Sequence, residues 1–191
     1  MKIKYILATA SLAVFIFNST FAQETKIYQK IKDHSGNEML LGKCDPSALK
    51  QEPFAAWYYS SWQNYTLDSI TCNFIRPLLA NKKLKLFMGT WCDDSRREVP
   101  RIFKMLECCN FPMENLELIM VSNADTLYKQ SPLHEERGLN ILRVPTMIIY
   151  SNGIETGRIV EFPMVSLEKD LLAILRGQKY TLSYTGEVGS K

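Results

Sequence analysis

Histidine is scarce in this chain: His34 and His134 are the only two in 191 residues, and five cysteines, Cys44, Cys72, Cys92, Cys108 and Cys109, show no paired ligand spacing. A structural zinc centre takes four such side chains in closely spaced pairs, so no metal site is expected. Five cysteines are also too few for a disulfide-held miniprotein of this size. Charge of either sign is sparse in net terms, at +3 for the whole chain. That balance gives no electrostatic footprint for nucleic acid or for an acidic membrane. The basic clusters Lys82-Lys83 with Lys85, and Arg96-Arg97, are short and read as solvated helix ends. There is no internal repeat, and no motif calls for a cofactor.

What is present begins with a targeting pattern. The first 22 residues have a basic start (Lys2, Lys4), an apolar run from Tyr5 to Phe17, and the small residues Thr20 and Ala22 before Gln23. This is the layout of a secretory signal peptide cleaved after Ala22. The apolar run is short for a bilayer span of ~20 residues, so no stable membrane insertion is expected after cleavage. No cysteine follows the cleavage point, which gives no support to a lipid anchor. The expected location is therefore exported, in the periplasm or, alternatively, secreted. Taking 22 residues from 191 leaves 169, ample for one domain and short for two. An odd number of cysteines in an exported chain leaves at least one thiol unpaired or joined to another molecule.

Residues 23–65 read as a partly helical extension. Thr25 to Lys32 and Glu38 to Leu41 flank the turn signal Asp33-His34-Ser35-Gly36-Asn37 and are expected to form a hairpin. Asp45-Pro46 reads as a helix start, and Ser47 to Tyr65 spaces Leu49, Phe54, Trp57, Tyr58, Trp62 and Tyr65 helically, with a break at Pro53. This aromatic stripe is expected to pack on a core rather than line a ligand groove. Thr66-Leu67-Asp68 opens another helix, with Leu67, Ile70, Phe74, Ile75, Leu78 and Leu79 as its apolar face. Leu84 to Met88 is a continuous apolar run, as in a strand covered on both sides.

The helix after Cys92 carries Val99, Ile102, Phe103 and Leu106 on one face, with a kink expected at Pro100. Leu116 to Val121 reads as a second buried strand, followed by a polar loop to Gln130 and a short helix over Pro132 to Gly138. Val144 to Tyr150 and Glu155 to Glu161 flank Asn152-Gly153, a strong hairpin signal. Ser166 caps a final helix ended by Gly177, and 178–191 is expected to be a loose tail.

The stretch Leu84 to Pro100 carries the chemistry. An apolar run, a sharp polar turn and a helix-like pattern present Cys92 at a helix N-terminus, where unpaired N–H groups and the helix dipole favour the thiolate. The alternative is a small buried cysteine packed as a hydrophobe. Asp93 and Asp94 oppose a thiolate, while Arg96 and Arg97 favour it. Asp94 or Ser95 is a candidate cap for the helix.

The order of elements, together with Trp91-Cys92-Asp93-Asp94-Ser95 and Arg143-Val144-Pro145-Thr146, resembles a thioredoxin-like domain over residues 66–177, about 60% of the chain. The block Gly89 to Ser95 is similar to the Gly-Thr-Trp-Cys-x-Asp-Ser pattern of exported thioredoxin-family proteins of Bacteroidetes-type bacteria. The resemblance implies an α/β fold with a central mixed sheet flanked by helices, and the N-terminal segment as an extension to it. It implies a reactive thiol at Cys92, facing a cis peptide bond between Val144 and Pro145. Trp91, Asp93, Asp94, Val144, Pro145 and Thr146 would hold the partner, and Ser95 would donate a hydrogen bond to the thiolate. A cis X-Pro bond costs only ~1 kcal/mol, so such a turn is physically accessible.

Two departures qualify the resemblance. Ser95 stands where a dithiol oxidoreductase of this family has its second cysteine, and Leu86 stands where the family has a buried acid. Without a local resolving thiol, a mixed disulfide on Cys92 must be resolved from outside. Cys108 and Cys109 lie 16 and 17 positions further on, about 24 Å along a helix that rises ~1.5 Å per residue, too far for a disulfide to Cys92. Cys44 and Cys72 are candidates for a structural disulfide, with a pair of free thiols as the alternative. Cys72 near Cys92 is a further alternative.

The expected function is thus a single-thiol oxidoreductase or isomerase acting through mixed disulfides with exported protein thiols or small thiols, served by an external reductant. A redox-inactive binding module on the same scaffold is the second reading. A thiol peroxidase, with Cys92 oxidised to sulfenic acid, is the third.

Overall fold

The structure is a computed structural model that describes residues 28–33 and 35–183. The signal-peptide expectation for residues 1–22, the start of the expected hairpin and the end of the expected tail lie outside the described residues. Six strands form one mixed sheet: β1 (Gln29–Lys32), β2 (Glu38–Cys44), β3 (Lys82–Met88), β4 (Leu116–Met120), β5 (Thr146–Ser151) and β6 (Ile154–Val160). Their spatial order is β1-β2-β4-β3-β5-β6, with β3 and β4 parallel and the other neighbours antiparallel. Four helices accompany them: α1 (Ala55–Asn64), α2 (Ser69–Leu79), α3 (Asp93–Cys108) and α4 (Leu167–Leu175). The fold is α/β, as expected. The segment expected as an extension is built into it: β2 pairs directly with β4, and α1 packs on α3.

β3 alternates between two cores, because side chains along a strand point to opposite faces with a period of two. Leu84, Leu86 and Met88 join a large cluster to which all four helices contribute, through residues such as Tyr58, Ile75, Leu106 and Leu171. Phe87 turns the other way, into a smaller cluster with Ile119, Val121, Val144 and Ile148. Leu139, Ile141, Trp91 and Cys92 pack on this second cluster from the loops. The four helices therefore cover one face, and the segment between β4 and β5 packs on the other without forming an α-helix.

That corrects the expected short helix over Pro132 to Gly138, where the chain makes turns instead. The Ser131 N–H donates to Glu136 Oε2 at 3.0 Å, and Ser131 Oγ accepts from the Glu135 N–H at 3.0 Å. These local side-chain bonds compete with a helical ladder, and His134 at φ 56° is left-handed, which a right-handed helix excludes. The break expected at Pro53 is present: Asp45 caps a short 3-10 turn, Pro46–Lys50, and α1 begins only after the Glu52–Pro53 bond, which is cis. One further correction concerns α2. On α2 the buried stripe is Cys72, Ile75 and Leu79, while Ile70 and Phe74 are exposed at 71% and 54%. Both stripes have helical spacing, and counting Cys72 as apolar selects the observed one. The expected kink leaves α3 unbroken through Pro100, and the aromatic stripe does pack on the core, led by Phe54 and Tyr58.

Helix ends are fixed by side chains the sequence names. Asp68 caps α2 by accepting from the Thr71 N–H at 2.9 Å, and Ser166 caps α4 by accepting from the Lys169 N–H at 3.2 Å. Two buried acids do more. Glu168 accepts from the Tyr65 hydroxyl at 2.9 Å and from the Asp68 N–H at 3.3 Å, tying α4 to the start of α2. Asp170 accepts from the Val165 N–H at 3.2 Å and from the Tyr180 hydroxyl at 3.0 Å. Burial raises both tyrosine pKa values and the adjacent carboxylates raise them further, so each stays a donor. The loose-tail expectation is thereby corrected for 178–183: Tyr180 docks on α4, and Ser183 donates to the Val160 carbonyl.

Asn152 and Gly153, at φ 51° and 80°, make the tight turn between β5 and β6 that the Asn-Gly pair predicts. On β6, a Cβ at Gly157 would lie 2.6 Å from Ile174 Cγ2, so the absent side chain lets α4 lie close to the strand. Gly157→Ala is expected to cost about 1–3 kcal/mol by overpacking. Combined with Ile174→Ala it should cost less than the sum of the single changes, as measured by chemical denaturation.

Candidate thiol site

Cys92 ends the turn after β3 and is the N-cap residue of α3, with extended backbone at φ −92° and ψ 125°. Its thiol is partly exposed and donates to the Val144 carbonyl at 3.3 Å, and the Val144–Pro145 bond beside it is cis. β3 and β5 are antiparallel neighbours, and that pairing brings the end of one strand to the start of the other. The two sequence blocks singled out for chemistry, 91–95 and 143–146, thus meet.

The turn is braced from several sides. The Trp91 indole Nε1–H donates to the Val121 carbonyl at 2.8 Å, and the ring lies 5.7 Å from that of Tyr128. Thr90 Oγ1 accepts from the Leu40 N–H at 3.2 Å, which links the turn to β2. Arg96 Nε donates to the Thr90 carbonyl at 2.6 Å. A Cβ at Gly89 would lie 2.4 Å from the Trp91 ring, so only glycine leaves room for this indole pose.

Ser95 is fully buried, and its hydroxyl oxygen accepts from the Gly89 N–H at 3.3 Å. No hydrogen bond joins it to Cys92 among the described residues, so the expected donation to the thiolate is replaced by a brace across the turn. Asp93 and Asp94 are the first helical residues, not caps. Asp93 stands in solvent with Arg96 3.6 Å away, and Asp94 pairs with Arg97 at 2.6 Å. Exposed pairs like the first contribute little stability, yet they blunt the negative charge next to the thiol. Arg97 also meets the buried Glu98 at 2.6 Å, and Arg101 meets it at 3.2 Å, so this basic cluster is not simply a solvated helix end.

On the facing turn, Val144, Pro145 and Thr146 are buried. Thr146 Oγ1 donates to the Arg143 carbonyl at 2.7 Å, which makes Thr146 a brace rather than a surface a partner would touch. The exposed ground on these loops comes instead from Tyr128, Leu142 and Arg143, with Trp91 half-buried among them. Sequence reasoning missed Lys129, whose ammonium donates to the Leu142 carbonyl. Burial lowers the Lys129 pKa and Arg143 adds to this, while Cys92 and Glu161 pull the other way; all three groups therefore share its surroundings. No periodicity or motif marks Lys129, because an irregular loop carries it to the site.

None of the five cysteines is in a disulfide, so of the two alternatives for Cys44 and Cys72 the bridge is not formed. Cys72 neighbours Cys108 and Cys109 instead, at the far end of α3 from Cys92. No group of acidic, cysteine or histidine residues suited to a metal ion occurs among the described residues. Likewise, no helix among them is long and apolar enough to cross a membrane.

No family model and no curated protein matches the chain. Solved structures share its fold. The chain is similar to a protein of unknown function from Pseudomonas aeruginosa, at 17% identity and a TM-score of 0.52, over 71% of this chain and 93% of that one. It is also similar to an HIV epitope-scaffold, at 17% identity and a TM-score of 0.51, over 72% and 94%. These likenesses concern the fold alone.

Gly89→Ala is expected to displace the Trp91 indole and break its bond to Val121. In a nitrogen–proton NMR spectrum the Trp91 indole signal should move, while those of Trp57 and Trp62, in the other core, stay in place.

Proposed function

We propose that the chain is an exported, thioredoxin-like thiol–disulfide oxidoreductase of the single-thiol kind, acting through mixed disulfides with exported protein thiols or small thiols. The observation that carries this reading is the partly exposed Cys92 thiol at the head of α3, 3.3 Å from the Val144 carbonyl and beside a cis proline. The order of elements adds support. Strand, thiol, helix, strand, proline-led hairpin and terminal helix follow one another as the resemblance implies, with turns in place of its short helix.

The chemistry is an exchange. The Cys92 thiolate attacks one sulfur of a partner disulfide, a Cys92–partner bond forms, and the other partner sulfur leaves as a thiolate that takes up the proton. Ser95 cannot attack the new bond. Release needs an external thiol, which completes a reduction, or a second thiol of the same partner, which completes an isomerisation. Leu86, buried in β3, has no proton to give, and none is needed where no second thiol awaits activation.

With oxidised glutathione, Cys92 is expected to carry a mixed disulfide in the wild-type protein, located by peptide mapping, and the Cys92→Ser protein is expected to lose exchange with a scrambled disulfide substrate. Ser95→Cys restores a resolving thiol three residues on and is expected to convert the adduct into an internal disulfide, releasing glutathione. Partner capture that survives Cys92→Ala unchanged would replace the oxidoreductase by a binding module, and rapid consumption of peroxide by Cys92 would replace it by a peroxidase.

A further inference from the structure

Three thiols that the Cys92 chemistry does not use meet at the opposite end of α3. Cys72 lies on α2, Cys108 is the last residue of α3, and Cys109 follows it as the helix cap. The Cys72 side chain neighbours both Cys108 and Cys109, and the three share one apolar cluster. The two elements are fastened together there: Arg76, one turn beyond Cys72 on α2, donates through Nη2 to the Cys108 carbonyl at 3.0 Å. Cys72 and Cys109 are buried at 0% and 1% exposure, whereas Cys108 is partly exposed.

We propose that Cys108 and Cys72 form a reversible disulfide that fastens α2 to the end of α3, made by exchange with a low-molecular-weight disulfide such as oxidised glutathione. Geometry selects the pair. Adjacent residues have alpha carbons ~3.8 Å apart, below the ~4.4 Å at which disulfides begin, so Cys108 and Cys109 do not bridge each other. Only Cys108 is open to a reagent from solvent. Burial pushes the Cys109 thiol up to about 11 and raises that of Cys72 as well, so neither is the first to attack.

The exchange runs in two balanced steps. The Cys108 thiolate attacks glutathione disulfide, giving a Cys108–glutathione bond and one glutathione thiolate, which takes the Cys108 proton. The Cys72 sulfur then attacks Cys108, the Cys72–Cys108 bond forms, and a second glutathione leaves with the Cys72 proton. Two electrons pass from the protein thiols to the glutathione disulfide. The attack brings two neighbouring sulfurs to an S–S bond of ~2.0 Å.

The test uses Cys92→Ser protein, so that it is independent of the oxidoreductase reading. The protein is treated with oxidised glutathione, quenched in acid, alkylated and analysed by intact mass and peptide sequencing. Of the four cysteines left, Cys72 and Cys108 are expected to escape alkylation and appear as one cross-linked peptide, after a transient glutathione adduct on Cys108. Adding Cys108→Ser should abolish the cross-link and Cys109→Ala should leave it. The proposal is overturned if all four cysteines stay alkylatable, if the glutathione adduct on Cys108 persists unresolved, or if Cys72 links to Cys109. Should the Cys108 variant fail to fold, mapping the cross-link in the Cys92→Ser protein alone decides.

Discussion

The structure depends on the burial of one strand on both faces and both edges. β3 is paired with β4 on one side and β5 on the other, while Leu84, Leu86 and Met88 face one core and Phe87 the other. A strand held on four sides has one place to end, and the turn that leaves it is fixed with it. The Gly89–Thr90–Trp91 turn is then gripped by Leu40 from β2, Val121 after β4 and Arg96 from α3. Cys92 inherits that rigidity. Its position opposite Val144 comes from strand pairing, since the residues preceding β5 lie at the end of β3 where the thiol emerges.

The charges around the thiol are arranged in compensating pairs. Asp93 with Arg96, Asp94 with Arg97, and Arg143 with Glu161 at 3.7 Å leave little net field from any one side. What is left is directional. Cys92 sits at the N-terminal, positive end of the α3 dipole, and Lys129 approaches from the loop. Ser95 adds to this: its hydroxyl is enclosed and spent on the Gly89 N–H, so the residue holds the turn in shape.

Much of this was legible in the sequence, and the reasons are specific. The apolar run at Leu84 to Met88, the Asn152-Gly153 turn, and the caps at Asp68 and Ser166 are local signals, and local signals survive into the fold. Cys92 at the head of a helix came from the same kind of reading. The misses share a different cause. Glu98, Glu168 and Asp170 look like surface acids in sequence, yet each is buried: two arginines of its own helix satisfy Glu98, the chain just before α4 and Tyr180 just after it satisfy Asp170, and Glu168 reaches back a hundred residues to Tyr65 and Asp68. Residues 122–145 carry no periodicity, so neither their coverage of the sheet nor the delivery of Lys129 was readable. Thr146 was placed correctly beside the proline but given an outward role, when its short side chain in fact closes the turn on the Arg143 carbonyl.

The cysteines divide along α3, and the division has a physical logic. A helix of 16 residues separates Cys92 at its start from Cys108 at its end, about 24 Å at ~1.5 Å per residue. At the start a thiol that is in no disulfide faces the Val144 carbonyl, with Lys129 near it. At the end three sulfurs crowd into apolar surroundings, where burial holds Cys72 and Cys109 in the thiol form. The length of α3 keeps these two kinds of sulfur environment apart in one chain.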